Sequence, residues 1–166
     1  MKVIKVVRKK QMYFCQVSEK DFARVSPYKW SIFGYPGNFY VRRRFYTGGK
    51  RVSQKLHRFI LGVEDPRVKV DHKDGNFLNN CRKNLRKATC AQNNQNAKIR
   101  KDNASGIKGV TWQPRGYKMG PGWVVRVQTN GRRLYVGKFK SLEEAAIARS
   151  IAAKQHHKEF AYEARA

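Results

Sequence analysis

The stretch Val70-Asp71-His72-Lys73-Asp74-Gly75-Asn76, followed by Asn84-Leu85-Arg86 and then Thr89-Cys90-Ala91-Gln92-Asn93, constrains this chain more than any other. It predicts a strand, a tight turn, a second short strand and a capped helix. Asp74-Gly75 is a hairpin signal, because glycine accepts the positive φ that primed turns demand. Thr89 followed three residues later by Gln92 is a capping-box pattern, so a helix is expected to start there. Its first turn would carry Asn93 back toward the strand bearing Asp71 and His72. A carboxylate, an amide oxygen and an imidazole would then share one small site. Oxygen ligands suit a hard divalent ion such as Mg²⁺ or Mn²⁺, one per site, and an adjacent imidazole could take a proton from water.

The order Asp-His, Asn-Leu-Arg and Thr-x-x-x-Asn resembles the HNH nucleases of the ββα-metal type, in particular the phage and intron homing endonucleases. The resemblance implies roles. His72 would be the general base, Asp71 and Asn93 the metal ligands, and Asn84 the brace of the loop between the strands. Arg86, in the same motif, is a candidate DNA contact. The helix position that is His in many HNH enzymes is Asn93 here, and a neutral amide is a weaker ligand than imidazole. The implied reaction is metal-assisted hydrolysis of a phosphodiester in double-stranded DNA.

Charge points to the same partner. The chain has 166 residues and a formal net charge of +26, which makes a compact fold repel itself unless a polyanion neutralises it. No apolar run approaches the roughly 20 residues that span a bilayer. There is no broad basic amphipathic helix, and the N-terminus lacks the apolar core of a signal peptide. No membrane partner and a cytoplasmic location are therefore expected. Cys15, Cys81 and Cys90 form no Cys-x-x-Cys pair. They read as reduced, small apolar side chains, with a zinc site built from Cys81, Cys90 and a histidine as the alternative.

Residues 1–55 read as a small, basic, β-rich region, with 14 Lys or Arg against Glu19 and Asp21. Ser18 to Phe22 looks like a capped helical turn, and Phe39 to Tyr46 like a strand. The run Arg42-Arg43-Arg44 must place arginine on at least one face that a small core cannot bury unpaired, so these three are candidate DNA contacts. The aromatic residues and Trp30 are expected in the core. An RNA-binding reading would need exposed aromatic clusters on a sheet. Lys55 to Leu61 predicts a short helix stopped by Gly62. The resembling nucleases carry a Leu-His-Arg helix at this point, and His57 is expected to be structural or to contact phosphate, with a reach into the active site as the alternative. Residues 56–100 would be the nuclease domain, and the helix that starts at Thr89 would continue past Asn93 to Lys101.

Residues 101–166 would hold a linker and a third module. Gly109–Trp112, Gly122–Gln128 and Arg133–Gly137 alternate as strands, with an Asn130-Gly131 turn. Ser141-Leu142-Glu143-Glu144 is a second capping box and opens a helix through Ala152. This half resembles the Apetala/ethylene-response-type DNA-binding domain at Gly109-Val110, Trp123, Leu134 to Gly137, Phe139 and Glu143 to Ala146. The resemblance implies that the sheet enters the major groove, with Thr111, Gln113, Arg115, Trp123, Arg126, Gln128, Arg133 and Tyr135 as candidate contacts. Arg126 and Gln128 share a strand face. The expected fold class is α+β: a β-rich N-terminal region, a ββα-metal nuclease core, and a C-terminal three-stranded antiparallel sheet packed on one helix. A site-specific DNA endonuclease of the homing type is the leading expectation. The alternative is a non-catalytic DNA-binding regulator on a nuclease scaffold. One active site between two unlike DNA-binding ends favours a monomer, which would nick one strand.

Overall fold

The computed structural model describes residues 1–35, 38–97, 99, 102–115, 120–129 and 131–162. The fold is α+β, and the chain divides into two compact units, Met1–Cys90 and Ala91–Ala166.

The first unit is built on a six-stranded sheet. Strands β1 (Lys2–Arg8), β2 (Gln11–Val17), β3 (Trp30–Tyr35), β4 (Asn38–Thr47) and β5 (Lys50–Lys55) come from the basic N-terminal region. The sixth, β7 (Asn79–Asn80), comes from the motif segment and pairs parallel with β2, giving the order β5-β4-β3-β1-β2-β7. The sheet thus joins the segments that the sequence separates at residue 55. Strands β6 (Lys69–His72) and β8 (Leu85–Ala88) form a separate antiparallel pair.

Alternation along the strands creates two unlike faces. Ile4, Val6, Cys15, Val17, Trp30, Ile32 and Val41 are buried on one face, under helices α1 (Glu19–Val25) and α2 (Leu56–Leu61), which add Val25, Leu56 and Ile60. Trp30 joins this core as expected, its indole donating to the Val25 carbonyl at 2.9 Å. The other aromatic residues divide. Phe14, Phe33, Tyr35 and Tyr46 occupy alternate positions and stand exposed on the opposite face, not in the core. A second core would be needed to cover the other face, and the described residues of this unit supply none.

A buried ion pair ties the layers together. Asp21 on α1 receives Nε and one terminal nitrogen of Arg82 at 2.8 and 2.9 Å, and Arg82 also donates to the Ile60 carbonyl at 2.7 Å. Ser18 precedes α1 in the N-cap position, but its hydroxyl accepts the backbone N–H of Arg82 at 2.8 Å instead of capping the helix. Helix α2 ends at Gly62, whose φ of 62° is the left-handed conformation that suits glycine at a helix terminus.

In the second unit, α3 (Cys90–Asn96) is followed by β9 (Val110–Gln113), β10 (Gly122–Thr129) and β11 (Arg132–Phe139), an antiparallel sheet of order β11-β10-β9, and then α4 (Leu142–His157). The expected capping box opens α4: the Glu144 amide donates to the Ser141 hydroxyl at 3.0 Å, with Glu144 reaching back to the Ser141 amide. Val110 and Val125 on the sheet pack with Ala145 of α4, surrounded by Ile107, Trp123, Val136, Phe139 and Leu142.

Two local expectations change. Helix α3 ends at Asn96, so Ile99 lies outside it, and Lys101 is not among the described residues. The run Asn94-Gln95-Asn96 has no apolar stripe, and Asn side chains compete with helical hydrogen bonding. The Lys108 ammonium instead terminates the helix by donating to the carbonyls of Asn94, Gln95 and Ala97 at 2.7, 3.1 and 2.7 Å. Second, the turn at Asp74-Gly75 does not return the chain directly to the pairing strand. It opens a loop that detours through β7 before β8 closes the pair. Asn130 of the expected Asn-Gly turn and residues 116–119 of the preceding loop lie outside the described residues.

Candidate active site

Strand β6 presents Asp71 and His72 on opposite sides, and the partner strand sets their surroundings. Asp71 pairs across the ladder with Arg86 and His72 with Leu85. Direct opposition on one face brings the Arg86 guanidinium to the Asp71 carboxylate, with Nε and a terminal nitrogen both on Oδ2 at 2.9 and 2.8 Å. Both side chains are about nine-tenths buried, at 9 % and 10 % exposure, so Arg86 is placed as the partner of Asp71 inside the unit.

The loop after His72 is knit around Asp74. Its carboxylate accepts from the Asn76 amide (2.8 Å), Asn84 Nδ2 (2.8 Å) and Asn79 Nδ2 (2.7 Å). Burial pushes the Asp74 carboxyl up, but these three bonds together hold it below its ordinary value. Asn84 completes the brace. Its Oδ1 accepts the Asp74 amide at 3.1 Å, its Nδ2 donates also to the Asn79 carbonyl at 2.8 Å, and its own carbonyl takes the Lys73 amide at 2.8 Å. Gly75, at φ 65°, closes the turn by donating to the His72 carbonyl at 2.8 Å.

His72 is oriented by a residue that its motif does not name. Asn80, 1 % exposed, donates through Nδ2 to the Phe77 carbonyl at 2.8 Å and to Cys15 Sγ at 3.2 Å. Those bonds turn its Oδ1 toward His72 Nε2, 3.3 Å away. An oxygen there requires a proton on Nε2, so the network assigns the neutral ring its lone pair at Nδ1. Burial lowers the His72 pKa, against the opposing influences of the Asn80 bond and the Asp74 and Asp71 charges. The imidazole is thereby kept neutral, as a base must be.

His57 meets His72 edge-on, with ring centroids 5.2 Å apart at 89°. It is buried on α2, and burial, reinforced by His72, Lys55 and Arg58, pushes its pKa down to about 3. The next residue, Arg58, fixes the approach to β6 by donating to the carbonyls of Val68, Glu64 and Asp65 at 2.6, 3.1 and 2.9 Å. The Leu-His-Arg helix therefore packs one residue on the base and uses another to set the loop. Asn80 and His57 were not among the expected site residues. His57 carried a signal in its place before the motif, whereas Asn80 carried none, since its role depends on Cys15, 65 positions away.

Asn93 lies in the second unit, half-buried on α3. The remaining candidates fall on two sheets. On β4, Arg42 and Arg44 share a face with the exposed aromatic residues, while Arg43 points the other way into Tyr28 and Phe59, its guanidinium carbon 3.7 and 5.0 Å from their ring centres. On the C-terminal sheet, Arg126 pairs with Tyr135, Gln128 with Arg133 and Val124 with Thr111, which puts these candidates on the face away from α4, with Gln113 in the same alternation. Trp123 is on the α4 side, against the apolar cluster and edge-on to Trp112 at 5.1 Å. Arg115 is exposed beyond the end of β9.

Among the described residues, no helix is long and apolar enough to cross a membrane. No three His, Cys, Asp or Glu side chains among them converge on a point that could hold a metal ion. Of the expected ligands, Asp71 offers a carboxylate and Asn93 a neutral amide oxygen. By donor type, the residues fit one hard divalent ion.

Comparison with known proteins agrees with the motif. The chain is 33 % identical over 155 residues to an uncharacterized HNH endonuclease of Acanthamoeba polyphaga mimivirus, covering 89 % of this chain and 73 % of that protein. It is also 49 % identical over 43 residues to Protein 3.8 of Escherichia phage T7, which covers 26 % of this chain and 36 % of that one. No family model and no solved structure matches. With Asp71, His72 and Asn84 set on paired strands and one braced loop, and a relative alike over most of both lengths, this chain belongs to the HNH endonuclease family.

Proposed function

We propose that this protein is a site-specific DNA endonuclease of the homing type, acting on double-stranded DNA as a monomer in the cytoplasm and nicking one strand per active site. The observation that carries the reading is the His72–Asn80 bond, which orients a half-buried, neutral imidazole on the strand that carries Asp71. His72 takes the proton from water through Nδ1, and Asn80 keeps Nε2 protonated while it does so. Asn84 holds the turn that fixes the His72 backbone. Asp71 and Asn93 would hold one Mg²⁺ or Mn²⁺, which would supply positive charge against the scissile phosphate. Arg86 keeps the Asp71 carboxylate in one orientation.

Phosphate contacts by the basic first unit would supply affinity, and base contacts by the C-terminal sheet would supply sequence choice. A three-stranded antiparallel sheet with one helix behind it and Thr111, Arg126, Gln128, Arg133 and Tyr135 on the other face supports the Apetala-type reading of residues 105–162. The test is scission of supercoiled plasmid carrying candidate targets, with Mg²⁺, with Mn²⁺ and with EDTA. Metal-dependent conversion to open circle is expected for wild type. His72→Ala and Asp71→Ala should lose it by at least about 100-fold while binding DNA as before. Unaltered scission by His72→Ala would remove the proposed base, and tight binding without scission under either metal would favour the regulator.

A further inference from the structure

The outer face of the six-stranded sheet is used neither by the core nor by the candidate active site. The strand register defines it. Across the sheet, Lys55, Arg42, Ser31, Val7 and Met12 form one continuous row of directly opposed residues. The neighbouring row holds Tyr40 and Phe33, and a third holds Arg44, Lys5 and Phe14. All point away from the core, because their strand neighbours Val6, Cys15, Ile32 and Val41 point into it. Phe14 is 61 % exposed, Phe33 45 % and Tyr35 66 %, so much of each ring's surface faces solvent.

The charge on this face is of one sign. Its cations are Lys5, Arg42, Arg44, Arg51 and Lys55, and it carries no Asp or Glu. None of the ion pairs among the described residues involves any of these five. The Arg42 guanidinium carbon lies 3.3 Å from the Phe33 ring centre and Lys55 Nζ lies 4.2 Å from that of Tyr40, while the two rings stand 5.6 Å apart. Arg42 Nε is buried without a hydrogen-bond partner among the described residues. The surface offers exposed rings, two of which carry a cation over one face.

A regular duplex shields its base faces by stacking, so exposed rings gain nothing from it beyond what lysine and arginine supply. Unpaired bases present those faces and carry a phosphate with each one. A protein partner would need acidic side chains for these cations and would leave the rings indifferent to their order. We infer that the outer sheet face, through Phe14, Phe33 and Tyr40 with Arg42 and Lys55 beside them, binds single-stranded DNA by stacking unpaired bases. The choice of DNA over RNA rests on the nuclease reading of the same unit; the stacking does not.

Binding of fluorescent oligo(dT), oligo(U) and a duplex of the same length is measured by anisotropy in EDTA, so no scission is needed and failure of the nuclease reading leaves the result interpretable. The protein is full-length His72→Ala, with Phe14→Ala/Phe33→Ala and Phe14→Tyr/Phe33→Tyr made in it. Stacking losses of about 1–3 kcal/mol per base, taken over two rings, predict an oligo(dT) affinity at least about 30-fold weaker for the alanine pair. Duplex affinity should change less than about twofold, and the tyrosine pair, which keeps the rings, should bind oligo(dT) like its parent. Equal losses on duplex and single strand, or no loss on either, would overturn the inference. Tighter binding of oligo(U) than of oligo(dT) would overturn the assignment to DNA. A dimer seen by sedimentation that the alanine pair dissociates, with oligo(dT) binding unchanged, would assign the face to a second copy of the chain instead.

Discussion

Replacing Asp21 by Asn tests whether the motif segment is held in place by charge. The carboxylate is 2 % exposed and meets Arg82 through both oxygens at 2.8 and 2.9 Å, with Arg24 3.4 Å from one of them. In the amide, one of the two positions becomes an N–H group facing an Arg82 N–H, so one bond turns repulsive and the other loses its charge. Breaking a buried pair costs about 3–5 kcal/mol, and charge-assisted bonds contribute about 1.5–3 kcal/mol each. Arg82 is 34 % exposed, so water recovers part of its solvation and the lower end applies, about 3 kcal/mol. In a unit the size of Met1–Cys90, that lowers the melting midpoint by roughly 10–20 °C. Hydrogen exchange followed by mass spectrometry in a urea series reports this unit separately, through peptides of β1 and β2. Double replacement, Asp21→Leu with Arg82→Met, should regain part of the loss, because no charge is stranded, but not the Arg82 bond to the Ile60 carbonyl at 2.7 Å. A loss below about 1 kcal/mol for Asp21→Asn, or a double variant weaker than the single one, would refute the reasoning.

Two further stability predictions concern single positions. His57 titrates near 3 when folded and near 6.5 when unfolded, so its contribution is complete above pH 6.5 and is lost as pH falls toward 3, because only the unfolded chain takes up the proton. Urea titrations between pH 6 and 4 should therefore show a slope about 1.4 kcal/mol per pH unit shallower in His57→Phe than in wild type; parallel slopes would contradict a neutral His57. Gly109 has φ +79° and a Cβ there would lie 2.3 Å from the Arg126 carbonyl oxygen, whereas Gly106 at φ +66° has open space around it. Gly109→Ala should cost the second unit at least about 2 kcal/mol more than Gly106→Ala in thermal unfolding, and equal costs would show that the β9–β10 contact yields.

What could be read from the chain was local. Gly62 and the Ser141 capping box act within a few residues, and each does in the structure what its neighbours imply, whereas Gly75 closes a turn but not the expected hairpin. The three C-terminal strands were legible for the same reason, since strict alternation and close spacing leave little choice of partner. Asp71-His72 and Leu85-Arg86 could be placed on strands, but their pairing partners could not be seen. The Asp71–Arg86 ion pair follows from register, which no single strand specifies. The extension of α3 to Lys101 was misread because Lys108 stops the helix from outside it. The N-terminal aromatic residues were read as core because composition reports how much apolar surface a segment has, not which face of a sheet receives it. The entry of Asn79–Asn80 into the main sheet had no local signature at all.

That two-residue strand has a consequence for how the protein is made. The hairpin β1–β2 leaves the ribosome well before β7, and β2 must then keep an open edge until β7 arrives more than 60 residues later, when the Gln16 amide finds the Leu78 carbonyl at 2.8 Å. An unfinished edge bearing Met12 and Phe14 is a template for pairing with another nascent chain. The same delay means that His72 is not seated on Asn80 until this last pairing closes, so the chain acquires its base only when the sheet is complete.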